Sequence, residues 1–186
     1  MSSTPKRPNL NLDDAVVVAL GSNLAGGFGT SEALLEAALA RFPQAGLPVI
    51  ARSSWWRSAA WPDPTGPEYR NGIALVDTNS SPEAVMEALF AIERAFGRNR
   101  GAPNAPRTLD LDLIAHGRLV VDTPGLRIPH PRAHERRFVM GPLAEVAPDW
   151  RHPVSGKTAA QLASTARVGR DARATPLSSS HGQPQG

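Results

Sequence analysis

"NAPRTLDLDLIAHG", Asn104 to Gly117, holds the tension on which the reading of this chain turns. Taken with period two, Leu109, Leu111 and Leu113 fall on one face of a strand, and Asp110 and Asp112 open the other. Same-face neighbours on a strand lie about 7 Å apart along the backbone, so the two carboxylates repel unless something positive lies over them. The leucine face asks for a core and the acidic face for a cationic partner. Arg107 stands just ahead of both.

Working outward, "AVVVALGSN" reads as a buried strand from Ala15 to Leu20, stopped by Gly21. "LAGGFGT" is a loop, and "SEALLEAALARF" is a helix with Ser31 as N-cap and Glu32 in its first turn. A second strand runs from about Val49 to Ser58. The prolines and glycine of "AAWPDPTGPEY" then forbid regular structure, and "RNGIALVDT" is a third strand. "SSPEAVMEALFAIERAFG" is a helix, with Ser81 before Pro82 at its start, Gly97 at its end, and an apolar face of Val85, Leu89, Ile92 and Phe96. The opening stretch supplies a strand at Thr108 to Ala115, with a short return near Leu119 to Val121. Two short helices follow, in "HERRFVMGPLAEVAP" and "GKTAAQLASTA". The order β-α-β-β-α-β predicts an α+β fold of the ferredoxin-like split βαβ kind, an antiparallel sheet with helices packed on it.

A single domain is expected at residues 14–167 of the 186, between a disordered lead (1–13) and a polar disordered tail (168–186). The 41% hydrophobic content suits a globular protein, and no apolar run is long enough to span a membrane. The lead has no apolar core of a secretory signal, so a cytoplasmic location is expected. Zero cysteines exclude disulfides, thiolate metal sites and a cysteine nucleophile. The net charge is +3, and Lys6 and Lys157 are the only lysines. That arginine preference suits bidentate contact with phosphate or carboxylate, and equally the codon bias of a GC-rich genome.

Two hard oxygen donors on one strand face suit Mg²⁺, which keeps several waters and shares its sphere with substrate phosphates. Arg98, Arg100 and Arg107 lie in the irregular "GRNRGAPNAPR" just upstream, as guanidinium partners for a polyphosphate held on the metal's other side. The competing reading is a solvent-facing strand edge with two charges. There is no G-x-x-x-x-G-K-[ST], and "GGFGTSEA" is too loose for a dinucleotide fingerprint. In "IPHPRAH", His130 and His134 are four apart, but Pro131 and the missing glutamate spoil a zinc-protease pattern. Trp61, Tyr69 and Asn71 could offer aromatic faces and an amide to a nitrogen heterocycle; each taken singly is as well explained by packing or capping.

Together "ALGSNL", "SAAWPDPTGPEYRNGIA", "IERAFGRNR", "APRTLDLDLI" and "IPHPRAHERRFVMGPLAEVAPDW" resemble, in this order, the 6-hydroxymethyl-7,8-dihydropterin pyrophosphokinase family of the folate pathway, over roughly residues 15–160. The resemblance implies transfer of diphosphate from ATP to the hydroxymethyl group of the reduced pterin, releasing AMP. It implies two Mg²⁺ ions between the phosphates and Asp110 and Asp112. Arg98 and Arg100 would lie on a mobile catalytic loop, with Arg107 ahead of the metal strand, all three taking part in catalysis. His130 and Arg136 would join Arg98 and Arg107 on the phosphates, and Leu113, Leu126, Arg127 and Ile128 would hold the adenine side. The pterin would lie between Tyr69 and Phe138, with Ser58, Ala59 and Asn71 at its edge. Glu93, beside the buried stripe of its helix, has no assigned role. Some relatives carry a tryptophan and another basic residue in the loop before P-R-T, or a tyrosine or similar residue at Pro131, and a proline is often found at Ala59; this chain has none of these.

A monomer with no nucleic-acid or membrane partner is expected. An RNA-binding module of the same fold would need aromatics in an RNP-like string, which is missing. A Mg²⁺ nuclease would need a further acidic cluster. A relative that binds nucleotide without turnover is the remaining rival.

Overall fold

Three consecutive valines, Val16, Val17 and Val18, are all buried, which marks a strand covered on both faces. That strand is β1 (Val16–Ser22), in the middle of the main sheet. The computed structural model describes residues 11–60, 63–97 and 108–175. Among them follow α1 (Ser31–Leu39), β2 (Val49–Arg52), β3 (Trp56–Ser58), β4 (Tyr69–Val76), α2 (Pro82–Ala95), β5 (Asp110–His116), β6 (Val121–Thr123), β7 (Leu126–Ile128), α3 (Arg137–Val146), α4 (Ala159–Thr165) and β8 (Arg173–Ala174). The sheet order is β5-β1-β4-β3-β8, with β2 also paired to β4, and every pairing is antiparallel. This is the split βαβ arrangement expected from the element order.

Alternation along β1 divides the core in two. Val16, Val18 and Leu20 join Leu109, Leu111 and Leu113 under residues of α1 and α2 such as Leu34, Leu35, Val85 and Leu89. Val17 joins Ile73, Leu75 and Ile114 under residues of α3 and α4, including Met140, Leu143 and Leu162. A bulge between Val17 and Val18 in the β1–β5 pairing leaves Ile114 unopposed, so that Ile114 and Ala115 both join the second core.

The expected long strand at Val49 to Ser58 is broken into β2 and β3, which take the two halves of β4. At the break, Trp55 and Trp56 leave on opposite faces. The Trp55 indole N–H donates to Glu36 of α1 at 2.8 Å, and that of Trp56 to Glu145 of α3 at 2.7 Å. Each ring lies on a glycine: a Cβ at Gly72 would come within 2.5 Å of Trp55, and one at Gly141 within 2.4 Å of Trp56. Both helix layers are thus fastened to one dipeptide. Burial raises the Glu145 carboxyl, but hydrogen bonds from the Ser54 backbone, Trp56 and the Ser54 hydroxyl hold it below its ordinary value.

Other expectations shift. Thr30, not Ser31, caps α1: it is extended (φ −131°, ψ 153°) and its hydroxyl accepts from the Ala33 N–H. The return strand lies at Val121–Thr123 and pairs with β7 in a separate ribbon. Gly21 does not stop β1, which runs on to Ser22. Asn11 to Asp14, which span the end of the expected lead, form a turn closed by Asp14 N–H to Asn11 O. Nor does the unstructured tail begin at 168. The Arg137 N–H donates to Val168 O at 2.8 Å, and β8 pairs with β3. Hydrogen bonds and the single small buried side chain of Ala172 hold that segment, so its polar composition concealed it.

Candidate functional site

The register of the sheet builds the site. One row of paired residues crosses four strands: Asp110 of β5, Gly21 of β1, Asn71 of β4 and Trp56 of β3. The next row on this face sets Asp112 against Ala19 and Ala19 against Ile73. Because β1 presents only Gly21 and Ala19 here, a cavity of about 420 Å³ opens between the carboxylates and Asn71. A Cβ at Gly21 would come to 3.3 Å from Asn71 Oδ1, so this glycine forms the floor beneath the amide.

At the far end of the cavity are Ser58, Ala59, Tyr69, Asn71 and Phe138. Asn71 Nδ2 donates to Ser58 Oγ at 3.0 Å, and both residues are buried. That bond orients the amide and leaves Oδ1 facing Gly21. The Arg136 guanidinium lies 5.8 Å from the Phe138 ring centre and lines the same cavity.

A second cleft, of about 460 Å³, lies on the other side of β5 and is lined by Leu113, Leu126, Arg127 and Ile128 among others. Asp112 and His130 line both clefts and so form the wall between them. His130 is held by its backbone N–H to Ile114 O at 2.8 Å, and its Nδ1 accepts from the Arg132 N–H at 3.1 Å. The ring proton of the neutral form therefore sits on Nε2. Burial and then the Arg136 charge lower the His130 pKa below its ordinary value, against an opposing pull from Asp110. The result is a neutral imidazole with a donor to offer.

No group of three or more histidine, cysteine or acidic side chains suited to a metal occurs among the described residues. Asp110 and Asp112, half-buried on one face, supply hard oxygen donors only, which fits a Mg²⁺ that completes its sphere with water and phosphate. Glu93 is 1% exposed, and its Oε1 accepts from the Leu111 N–H at 2.8 Å. Strand β5 is at the sheet edge, so this carboxylate takes an outward N–H that no strand reaches. Arg98, Arg100, Arg107 and Trp61 lie outside the described residues.

The structure thus brings together Ser58, Ala59, Tyr69, Asn71, Asp110, Asp112, His130, Arg136 and Phe138 in one cleft, and Leu113, Leu126, Arg127 and Ile128 in the other. Sequence reasoning missed Ala19, Gly21, Arg132, Glu135 and Val168, which also line the first. A signal existed for Gly21, since glycine inside an apolar strand marks close approach of another group; none existed for Val168.

A model of the family "7,8-dihydro-6-hydroxymethylpterin-pyrophosphokinase (HPPK)" matches residues 17–148. The 2-amino-4-hydroxy-6-hydroxymethyldihydropteridine pyrophosphokinase of Synechocystis sp. is 45% identical over 147 residues, covering 78% of this chain and 73% of its own. The protein of that name from Pseudomonas aeruginosa is 43% identical over 142 residues, covering 74% of this chain and 83% of its own. Among solved structures, wild-type Plasmodium falciparum HPPK-DHPS superposes with a TM-score of 0.63 at 11% identity, a likeness of fold. The match covers 81% of this chain but only 44% of that one.

Proposed function

The chain belongs to the 7,8-dihydro-6-hydroxymethylpterin-pyrophosphokinase family, and from that membership we infer that it transfers diphosphate from ATP to the hydroxymethyl group of 6-hydroxymethyl-7,8-dihydropterin, a step of folate biosynthesis that releases AMP. The observation that carries the assignment of parts is the pair of clefts meeting at Asp112 and His130. A reaction between two substrates needs such a common wall, because the reacting atoms must come within about 3–3.5 Å.

In this reading the adenine lies in the second cleft against Leu113 and the Leu126–Ile128 strand, and the triphosphate crosses the wall toward Asp110 and Asp112. The pterin enters the first cleft between Tyr69 and Phe138, its polar edge on Asn71 and Ser58. Flat rings on both faces and an amide at the edge suit a heterocycle that both donates and accepts hydrogen bonds. His130 offers Nε2–H to the phosphates, and Arg136, Arg98, Arg100 and Arg107 add charge around them. Asp110 and Asp112 would hold Mg²⁺, two ions in this reading, which would supply charge neutralisation for the triphosphate and polarise the β-phosphorus. The pterin hydroxyl oxygen attacks that phosphorus in line, the bond to the bridging oxygen of AMP breaks, and the hydroxyl proton is lost to solvent. Positioning and electrostatics dominate, with no protein nucleophile required. The protein is taken to act as a cytoplasmic monomer with no nucleic-acid or membrane partner.

The test is direct. With ATP, Mg²⁺ and the reduced pterin, chromatography of the products shows AMP and the pterin diphosphate. ADP instead of AMP, or no turnover by folded protein, overturns the reading.

A further inference from the structure

One segment in contact with the first cleft lies beyond the residues that match the family: Val168 to Thr175. It touches two lining residues of the cavity, Phe138 and Ala59. On one side Val168 lines the cavity, and Gly169, with φ +69°, lies so close to Phe138 that an added Cβ would meet the ring at 2.5 Å. On the other, the Asp171 carboxylate accepts the Ala59 backbone N–H at 2.6 Å, at the point where the chain leaves β3 for the loop beside the cleft. The segment is itself well anchored. Arg137 donates from Nε to Ala172 O at 3.2 Å and from Nη1 to Ala163 O at 3.0 Å, and Thr175 N–H donates to Trp55 O at 2.9 Å.

We propose that Asp171 is a positioning residue for the heterocycle cleft, fixing Ala59 while the neighbouring Gly169 backs Phe138, so that one turn of chain sets the spacing of the two walls. The physical case is that Asp171 is exposed and belongs to no core, yet its carboxylate accepts the backbone N–H of Ala59, a residue that lines the cleft. A charged acceptor on a loop N–H restricts that loop at the position where a flat ligand must be gripped. The proposal rests on the assignment of the first cleft to the pterin. Its effect therefore falls on pterin binding, and the nucleotide cleft on the far side of β5 is untouched.

The experiment uses the full chain as wild type, Asp171→Ala and Asp171→Asn, with KM measured for each substrate, calorimetric titration of 6-hydroxymethylpterin, and thermal melts. Asp171→Ala raises the pterin KM and dissociation constant by about five- to tenfold, the span a single hydrogen bond carries, and leaves the KM for ATP within about twofold. Asp171→Asn keeps an acceptor oxygen at the same reach and restores pterin binding toward wild type. An unchanged pterin constant in Asp171→Ala, an equal rise for both substrates, or failure of Asp171→Asn to rescue overturns the proposal. Absence of AMP from the wild type would instead mark failure of the functional reading; the pterin titrations decide the role of Asp171 in either case.

Discussion

At the scale of the residue, the most consequential position is one with no side chain. Gly21 sits between Asp110 and Asn71 in a single cross-strand row, and its missing Cβ is what makes the cavity continuous from carboxylate to amide. Gly21→Val would keep, and even favour, a strand conformation while filling the floor under Asn71. The expected outcome is a pterin KM raised at least about tenfold, as a branched group crowds an amide that a lone Cβ would already approach at 3.3 Å, with a circular dichroism spectrum like that of wild type. A normal pterin KM in Gly21→Val would show that the ligand does not reach this floor. His130 makes a second residue-scale point. The resemblance alone proposes it as a phosphate contact, whereas the reason its Nε2 is free to carry the proton, with Nδ1 held by the Arg132 N–H, needed the backbone to be seen.

At the scale of the element, two tryptophans next to each other in sequence anchor helices on opposite sides of the sheet. Gly141→Ala would drive a methyl into the Trp56 ring, to within 2.4 Å of its nearest carbon. Urea unfolding should register a loss of about 1–3 kcal/mol, as is usual for overpacking. A loss of under about 0.5 kcal/mol would mean that α3 can slide away from the ring at little cost. Element types and order were readable because the periods were clean: Val16 to Leu20 as an apolar run, Val85, Leu89 and Ile92 on one helical stripe, leucines alternating with aspartates in β5. The break between β2 and β3 was not readable. "SSWW" has ordinary strand composition, and only the need to serve two faces at once interrupts the pairing there. The site was legible where it used charged or aromatic residues. It was silent at Ala19, gave only the faint mark of a glycine within an apolar strand at Gly21, and was silent again where a polar segment contributed backbone, as Val168 does.

At the scale of the whole molecule, two histidines link stability to pH. Burial lowers the pKa of His130, with Arg136 adding to the effect, and burial lowers that of His152, with His134 and Arg118 adding. Above the ordinary histidine value of 6.5 both are neutral in the folded and unfolded chain and contribute no slope. As pH falls below it, the unfolded chain takes up protons first, so stability is lost on acidification toward the lower folded values. Melting temperature should therefore decline between about pH 7 and 5.5. His152→Asn, which keeps an acceptor for the Val154 and Ser155 N–H groups, should flatten part of that decline; an unaltered slope would place the linkage elsewhere. The row Asp110–Gly21–Asn71–Trp56 has a further consequence, for quality control. Its members come from four distant stretches of chain, and slipping any one strand by a single residue turns its contribution to the opposite face. A mispaired sheet could keep its hydrogen bonds and much of its apolar burial, yet it would present the wrong side chain to every substrate. Specific activity in this protein is therefore a readout of strand registration, and refolded material with native spectra but fractional activity would count the molecules whose strands had paired out of step.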